Sequence, residues 1–365
     1  STEGDVYAWG SNTYGQVSTS TEVKNFDLQQ RVRTSGGDMG DIVDIAAGDG
    51  FALAARKDGT VWAWGRYERG SLGLNNEGRF TGNQASPRQV PGVSGNGALG
   101  GEDTGKIVKV YAHGYSAAAI SETGSLYVWG ENIRRILGTG ENMDIVSYSS
   151  DTIARPVKVP GIDNAVEVYF SDDNMYILTA DGLVYATGEK SRGLTSYERT
   201  ATGKSLYAQP ILDATDVKNQ ESEAEDYFRN ALMGALGDTQ AMFMTMELDK
   251  NTLVGVDTVA GGSTLKNGSK LTKHLYVMGE NTEKELLAPL FTDLGISDED
   301  EPEFIHRPVE MSYFFNEELD RIFELAEEAY KLAAEAGTDE AINKAISDKQ
   351  MEQAKAKVAL EALDS

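Results

Sequence analysis

Apolar and polar positions along the chain fall into short runs of strand period, punctuated by glycine, and one run recurs. Gly59 to Gly65 reads GTVWAWG. Gly4 to Gly10 reads GDVYAWG, Gly124 to Gly130 reads GSLYVWG and Gly182 to Gly188 reads GLVYATG, with a weaker copy, KHLYVMG, from Lys273 to Gly279. Alternate residues of a strand face opposite ways, so Val61 and Ala63 share one side and Trp62 and Trp64 the other. Both sides are apolar, which predicts a strand covered on both faces. The closing glycine marks a backbone conformation or close approach that a side chain forbids. A strand rewritten with constant punctuation is the sign of a modular array.

Each unit, counted from Gly10 to Gly65, to Gly130, to Gly188 and to Gly279, holds a second echo. Ile42 to Gly48 precedes Phe51 to Ala55 and the turn Lys57-Asp58-Gly59. Ile107 to Gly114 precedes Ser116 to Ile120 and the turn Glu122-Thr123-Gly124. Ala165 to Phe170 precedes Met175 to Leu178 and Ala180-Asp181-Gly182. Ala231 to Gly237 precedes Ala241 to Met246. A Pro-bearing strand recurs at Ser86–Val93, Arg155–Ile162, Gln209–Leu212 and Arg307–Met311. Four short strands joined by tight Gly and Asp turns predict the blade of a β-propeller.

The Trp-Gly strand with its following loop, Gly10-Ser11-Asn12 through Gly15-Gln16 and Gly65 through Leu72-Gly73, resembles the regulator of chromosome condensation repeat. The resemblance covers roughly residues 4 to 313. It implies a propeller, typically seven-bladed, whose apolar blade faces stack around a channel. This chain has four full units and a partial fifth, which leaves a shorter ring, an open arc or a ring completed by another chain. The fourth unit also carries a polar insertion, Asp216 to Asp226, and a Gly-rich loop, Gly261 to Gly268.

The tail is different material. Leu319, Ile322, Phe323, Ala326, Tyr330 and Ala333 repeat at helical spacing, and Asn316 can cap the first turn. The expected organisation is an all-β propeller-type repeat domain over residues 1–314, four full blades plus a partial one, and an α-helical extension over 315–365. The tail stripe packs on the propeller or docks on a partner, with Leu319, Phe323 and Tyr330 as candidate interface residues.

Composition narrows the chemistry. Thirty-three Lys and Arg stand against 58 Asp and Glu, a net charge of −25. That argues against nucleic acid or anionic membrane as the main partner, since both call for a basic footprint. No run of some 18 apolar residues suggests a membrane span. Cysteine is absent, which removes disulfides, thiolate metal sites and a Cys nucleophile. The three histidines, His113, His274 and His306, lie in different units without ligand spacing. Gly261-Gly262-Ser263 lacks the Lys-Ser/Thr ending of a phosphate loop. Asp172-Asp173 and Asp298 to Glu301 offer oxygen ligands for Ca²⁺ but lack the spacing and glycine of a calcium loop, so solvated charge is the favoured reading. Asn267-Gly268-Ser269 is a glycosylation sequon, of consequence only for an exported chain.

No cofactor and no catalysis are expected. Trp9, Gly10, Trp62, Trp64, Gly65, Trp129, Gly130, Tyr185, Gly188, Tyr276 and Gly279 are expected as structural core of the repeat. The resemblance implies binding functions: nucleotide exchange on a small GTPase, chromatin binding, enzyme inhibition or docking within larger proteins. The reading preferred on sequence is an interaction or structural protein that binds copies of itself through open blades and the tail. The alternative is a regulatory module of the exchange-factor or inhibitor type. An extracellular or cell-surface location is expected, with the cytoplasm as the alternative.

Overall fold

The computed structural model describes residues 1, 4–17, 22–34, 36–74, 82–93, 95, 97–140, 151–189, 194, 204–211, 227–229, 231–236, 240–248, 271–281 and 304–310. It opens with β1 (Tyr7–Ser11) paired antiparallel to β2 (Asn25–Arg31), then a minimal hairpin, β3 (Arg33–Thr34) and β4 (Gly37–Asp38). Four four-stranded sheets follow. The first holds β5 (Ile42–Ala47), β6 (Phe51–Arg56), β7 (Val61–Arg66) and β8 (Asn83–Gln89). The second holds β9 (Ile107–His113), β10 (Ser116–Ser121), β11 (Leu126–Glu131) and β12 (Thr152–Lys158). The third holds β13 (Ala165–Phe170), β14 (Asn174–Thr179), β15 (Val184–Glu189) and β16 (Lys204–Pro210). The fourth holds β17 (Ala231–Leu236), β18 (Gln240–Leu248), β19 (Leu271–Glu280) and β20 (Phe304–Glu310). In every sheet each strand pairs antiparallel with the next in the chain. Innermost strands meet in chain order: β5 packs on β9, β9 on β13 and β13 on β17.

The repeated glycine now has a physical cause. At Gly65 and Gly130 the third strand bulges, since its register to the fourth strand shifts there. Their φ angles are +104° and +99°. A Cβ would stand 2.4 Å from the Gly50 carbonyl oxygen and 2.1 Å from that of Tyr115. The turn between the first two strands therefore crowds the bulge, and a side chain is excluded. The Asp-Gly turns between second and third strands are tied by the Asp side chain: Asp58 accepts from the Thr60 amide at 3.0 Å and from the Thr60 hydroxyl at 2.7 Å.

The core runs between blades. Phe51, Leu53, Val61, Leu72, Leu126, Trp129, Leu137, Ile153 and Ile177 belong to one buried cluster across the first three full blades, and Tyr176, Phe228, Phe243 and Ile305 to another across the last two. Trp64 and Trp129 are buried, while Trp62, Tyr185 and Tyr276 are half-buried.

Trp9 departs from the expectation that it is core, being 66 % exposed. Among the described residues its sheet holds two strands, in the places of the third and fourth strands of the other blades. Gly10 is open as well: a Cβ there would meet nothing within 4 Å. Ile45 on β5 is 59 % exposed, whereas its counterparts Val110 and Val168 are 3 % and 4 % exposed beneath the preceding innermost strand. The helical extension with Leu319, Phe323 and Tyr330, the stretches 216–226 and 261–268, Asn267 and residues 298–301 all lie outside the described residues. Among those described, the helical content is one 3-10 turn, Ile133–Arg135, and no helix is long and apolar enough to cross a membrane.

Candidate protein-interaction rim

One end of the blades gathers the turns between first and second strands and the loops after the Trp-Gly strands. Tyr14 lies in the loop after β1, Arg66 ends β7 and Arg69 lies in the loop that follows it, and Tyr115 is in the turn between β9 and β10. The guanidinium of Arg66 lies 4.6 Å from the Tyr14 ring centroid and 4.9 Å from that of Tyr115, and Arg69 stands 5.4 Å from the same Tyr115 ring. A Tyr–Arg–Tyr–Arg stack thus crosses three successive sheets. Arg66 donates to Glu68 at 2.8 Å and to Asp49 at 3.3 Å, and Arg69 pairs with Glu131. Burial, then the hydrogen bond to Asp49, pushes the Tyr115 phenol up.

The rim continues to the next blade. Arg134 Nε donates to Asp173 at 2.9 Å and Nη1 to Glu189 at 3.4 Å. His113 Nε2 lies 2.9 Å from Asp172 Oδ1. Asp172 and Asp173, the described half of the calcium candidates, are therefore both engaged. Arg69, Arg134 and Arg135 hold φ angles of +50°, +62° and +64°, a region sparsely populated by side-chain-bearing residues. Such strain concentrates at functional loops.

Beneath the rim, the innermost strands line a groove of about 420 Å³. Equivalent positions carry alternating charge: Asp44 on β5, Lys109 on β9 and Glu167 on β13. Asp44 Oδ2 accepts the Val110 amide at 2.8 Å, Lys109 pairs with Glu167, and the Tyr111 hydroxyl donates to Glu167 at 3.0 Å. Burial, then the Glu167 charge, raises the Tyr111 phenol. These groups satisfy one another and join neighbouring blades. Among the described residues no group of three His, Asp or Glu could hold a metal ion.

The Trp-Gly strands lead straight into the rim residues Arg66, Glu131 and Glu189 and also serve contact between blades. Trp64 Nε1 donates to the Gln16 carbonyl at 2.9 Å, Trp129 Nε1 to that of Ser71 at 2.9 Å, and Thr187 Oγ1 to that of Arg135 at 3.0 Å. Each acceptor lies in the loop that follows the third strand of the preceding sheet. The sequence reading missed Tyr14, Arg66, Arg69, Tyr115 and Arg134; the available signal was an aromatic or arginine soon after Gly10, Gly65 and Gly130.

Two models of the regulator of chromosome condensation (RCC1) repeat match the chain, at residues 3–55 and 42–79. Residues 3–79 are thus similar to RCC1 repeats. It is 30 % identical over 201 residues to human probable E3 ubiquitin-protein ligase HERC6, covering 54 % of this chain and 18 % of that protein. It is 29 % identical over 194 residues to human E3 ubiquitin-protein ligase HERC2, covering 52 % of this chain and 4 % of that protein. The chain thus spans less than a fifth of the length of these curated relatives. Among solved structures it resembles yeast RCC1 (Prp20) from a complex with Kap60, with a TM-score of 0.51 at 18 % identity over 84 % of this chain and 57 % of that one. Human WBSCR16 gives a TM-score of 0.50 at 18 % identity over 77 % and 58 %. At these identities the likeness shows the fold alone: an all-β, RCC1-like propeller architecture.

Proposed function

We propose that this RCC1-repeat chain is a non-catalytic protein-interaction module that presents its Tyr14–Arg66–Tyr115 rim to a protein partner. The observation that carries the reading is the Arg66 guanidinium held between two tyrosine rings, with Arg69 stacked beside it. Tyrosine and arginine are the residue types that dominate interface hot spots. Here they are held in place before binding, which lowers the ordering cost of association. The acidic net charge of −25 favours a partner with basic residues over nucleic acid. The likeness to yeast RCC1, solved in complex with Kap60, supports a protein-binding use of this fold. Ligase activity in the HERC relatives is a property of much longer proteins, and the rim supports a regulatory binding role within that setting.

A photo-activated cross-linker placed at Arg69 on the rim, and at Lys57 in the turn between β6 and β7 on the opposite end, tests the reading. Protein adducts are expected from position 69 and not from position 57, and Arg66→Ala with Tyr115→Ala is expected to reduce them at least about tenfold. Equal adducts from both ends, or adducts indifferent to those substitutions, would overturn it.

A further inference from the structure

The loops that follow Gly10, Gly65 and Gly130 share one hydrogen-bond plan. The fifth residue on donates its amide to the carbonyl of the second, Gly15 to Asn12 at 3.1 Å and Arg135 to Asn132 at 3.1 Å. The carbonyl of that fifth residue accepts the amide of the eighth, Gly70 from Gly73 at 2.8 Å and Arg135 from Gly138 at 3.1 Å. The side chains of Asn12 and Asn132 each accept one more amide, from Val17 and Leu137, both at 3.0 Å. Arg135 therefore stands where the other two loops hold Gly15 and Gly70.

That place is left-handed in all three loops: φ is +80° at Gly15, +74° at Gly70 and +64° at Arg135. Glycine adopts it freely, whereas a residue with a side chain is strained there. A Cβ at Gly15 would stand 2.4 Å from the Ala85 Cβ, and one at Gly70 would stand 2.8 Å from the Ile153 carbonyl oxygen. Arg134, one residue earlier, is left-handed too, at +62°. The turn is thus held in a shape that its own residues resist, and strain of this kind persists where the surroundings over-determine it. They do so here: Ile136 and Leu137 are buried behind the turn, and Arg134 is pinned by Asp173 and Glu189.

The strained turn presents Ile133. Its counterparts, three residues after Gly10 and Gly65, are polar and engaged within their own loops. Thr13 Oγ1 hydrogen-bonds Ser11 Oγ at 3.2 Å, and Glu68 accepts from Arg66 at 2.8 Å. Ile133 is apolar and 40 % exposed. Two residues before it, Glu131 pairs with Arg69 and donates its amide to the Tyr115 carbonyl at 3.1 Å. The isoleucine therefore adjoins the Tyr–Arg stack.

We infer that Ile133 is the apolar anchor of the rim, received by an apolar pocket on a folded protein partner, and that the left-handed backbone at Arg134 and Arg135 fixes the angle at which it projects. The inference rests on the rim reading above and names the kind of surface that meets it. A β-branched side chain is stiff, so little freedom is lost when it enters a pocket. The charge beside it is already compensated, since Arg134 pairs with Asp173 and Glu189. Recognition at this point is therefore by shape and apolarity, while the neighbouring stack supplies the polar contacts.

The full chain with the photo-activated cross-linker at position 69 serves as the probe, compared with the same chain carrying Ile133→Val or Ile133→Thr. Valine and threonine have the same shape and differ by a methyl in place of a hydroxyl. Ile133→Val is expected to keep adducts within about fourfold of the parent, the loss for one methylene. Ile133→Thr is expected to lower them at least about 20-fold, because an unpaired hydroxyl in an apolar pocket adds to that loss. Both variants are expected to melt with the parent, as exposed substitutions do. Arg135→Gly is expected to raise the thermal midpoint by removing strain, and to lower adducts at least about threefold because the turn must then be ordered on binding. Parent-level adducts from Ile133→Thr, or equal losses from threonine and valine, would overturn the inference and leave the rim reading standing. So would an Arg135→Gly chain that melts below the parent or yields as many adducts. A parent chain without adducts from position 69 would overturn the rim reading itself, and this inference with it.

Discussion

The indole N–H of Trp129 donates to the carbonyl oxygen of Ser71 at 2.9 Å, tying the third strand of one blade to the loop of the blade before it. Trp64 makes the same bond to Gln16, whereas the indole of Trp9 is 66 % exposed. One sequence motif thus has two energetic fates, decided by whether a neighbour is present. Trp64→Ala is expected to cost ~3–5 kcal/mol, the range for removing a large buried aromatic. Trp9→Ala is expected to cost less than about 0.5 kcal/mol in dilute solution, as for other exposed positions. Urea unfolding of both variants checks the contrast, and similar losses would show that Trp9 is covered in the monomer.

Much of the strand plan was legible before any coordinates, because each strand type has its own local signature. The Trp-Gly strand gives β1, β7, β11, β15 and β19, the apolar run before an Ala-rich strand gives β5, β9 and β13, and the Pro strand gives β8, β12, β16 and β20. Strand β2 carries neither proline nor an apolar run, so Asn25–Arg31 went unmarked. The β3–β4 hairpin is two residues a side and leaves no period to read. Exposure of Trp9 was not legible at all, since burial depends on what packs against a residue. The rim was hidden for a related reason: Tyr14, Arg66 and Tyr115 meet only because successive blades bring their loops together.

Arg66 should be sensitive to shape as well as charge. Its planar cation lies between two rings and also pairs with Glu68 and Asp49. Arg66→Ala is expected to lose ~1–2 kcal/mol, two stacked contacts at the scale of partly exposed cation–π pairs. Arg66→Lys should recover little of it, because an ammonium cannot stack flat between the rings. Thermal melts of both variants check this, and full recovery by lysine would show that charge alone is what matters there.

Acid should loosen the turns between second and third strands. Burial pushes the Asp58 carboxyl up, but its hydrogen bonds from Thr60 outweigh this and hold it below the ordinary 3.8. The Thr179 hydroxyl depresses Asp181 from the same value. A depressed native pKa contributes stability above the unfolded value, and that contribution is lost as pH falls through the native one. Urea midpoints should therefore decline as pH drops below about 4, and Asp58→Asn with Asp181→Asn should flatten that decline while lowering the midpoint at neutral pH. An unchanged slope in the double variant would place the acid sensitivity elsewhere.

The axial groove offers the sharpest test of how blades are held together. Asp44 on β5 accepts the backbone amide of Val110 on β9 at 2.8 Å, and Val110 is 3 % exposed. Removing the carboxylate takes away the Asp44 acceptor of that amide. Asp44→Ala is therefore expected to cost ~1–3 kcal/mol, the penalty for stranding a buried donor. Asp44→Asn keeps an acceptor oxygen and should recover most of the loss. Lys109 and Glu167 form the next step of the groove, so Glu167→Gln combined with Asp44→Ala should give losses that do not simply add. Hydrogen exchange reads the same bond directly: the Val110 amide should exchange faster in Asp44→Ala and at the parent rate in Asp44→Asn. Parent-like protection of Val110 in the alanine variant would mean that packing alone joins these blades.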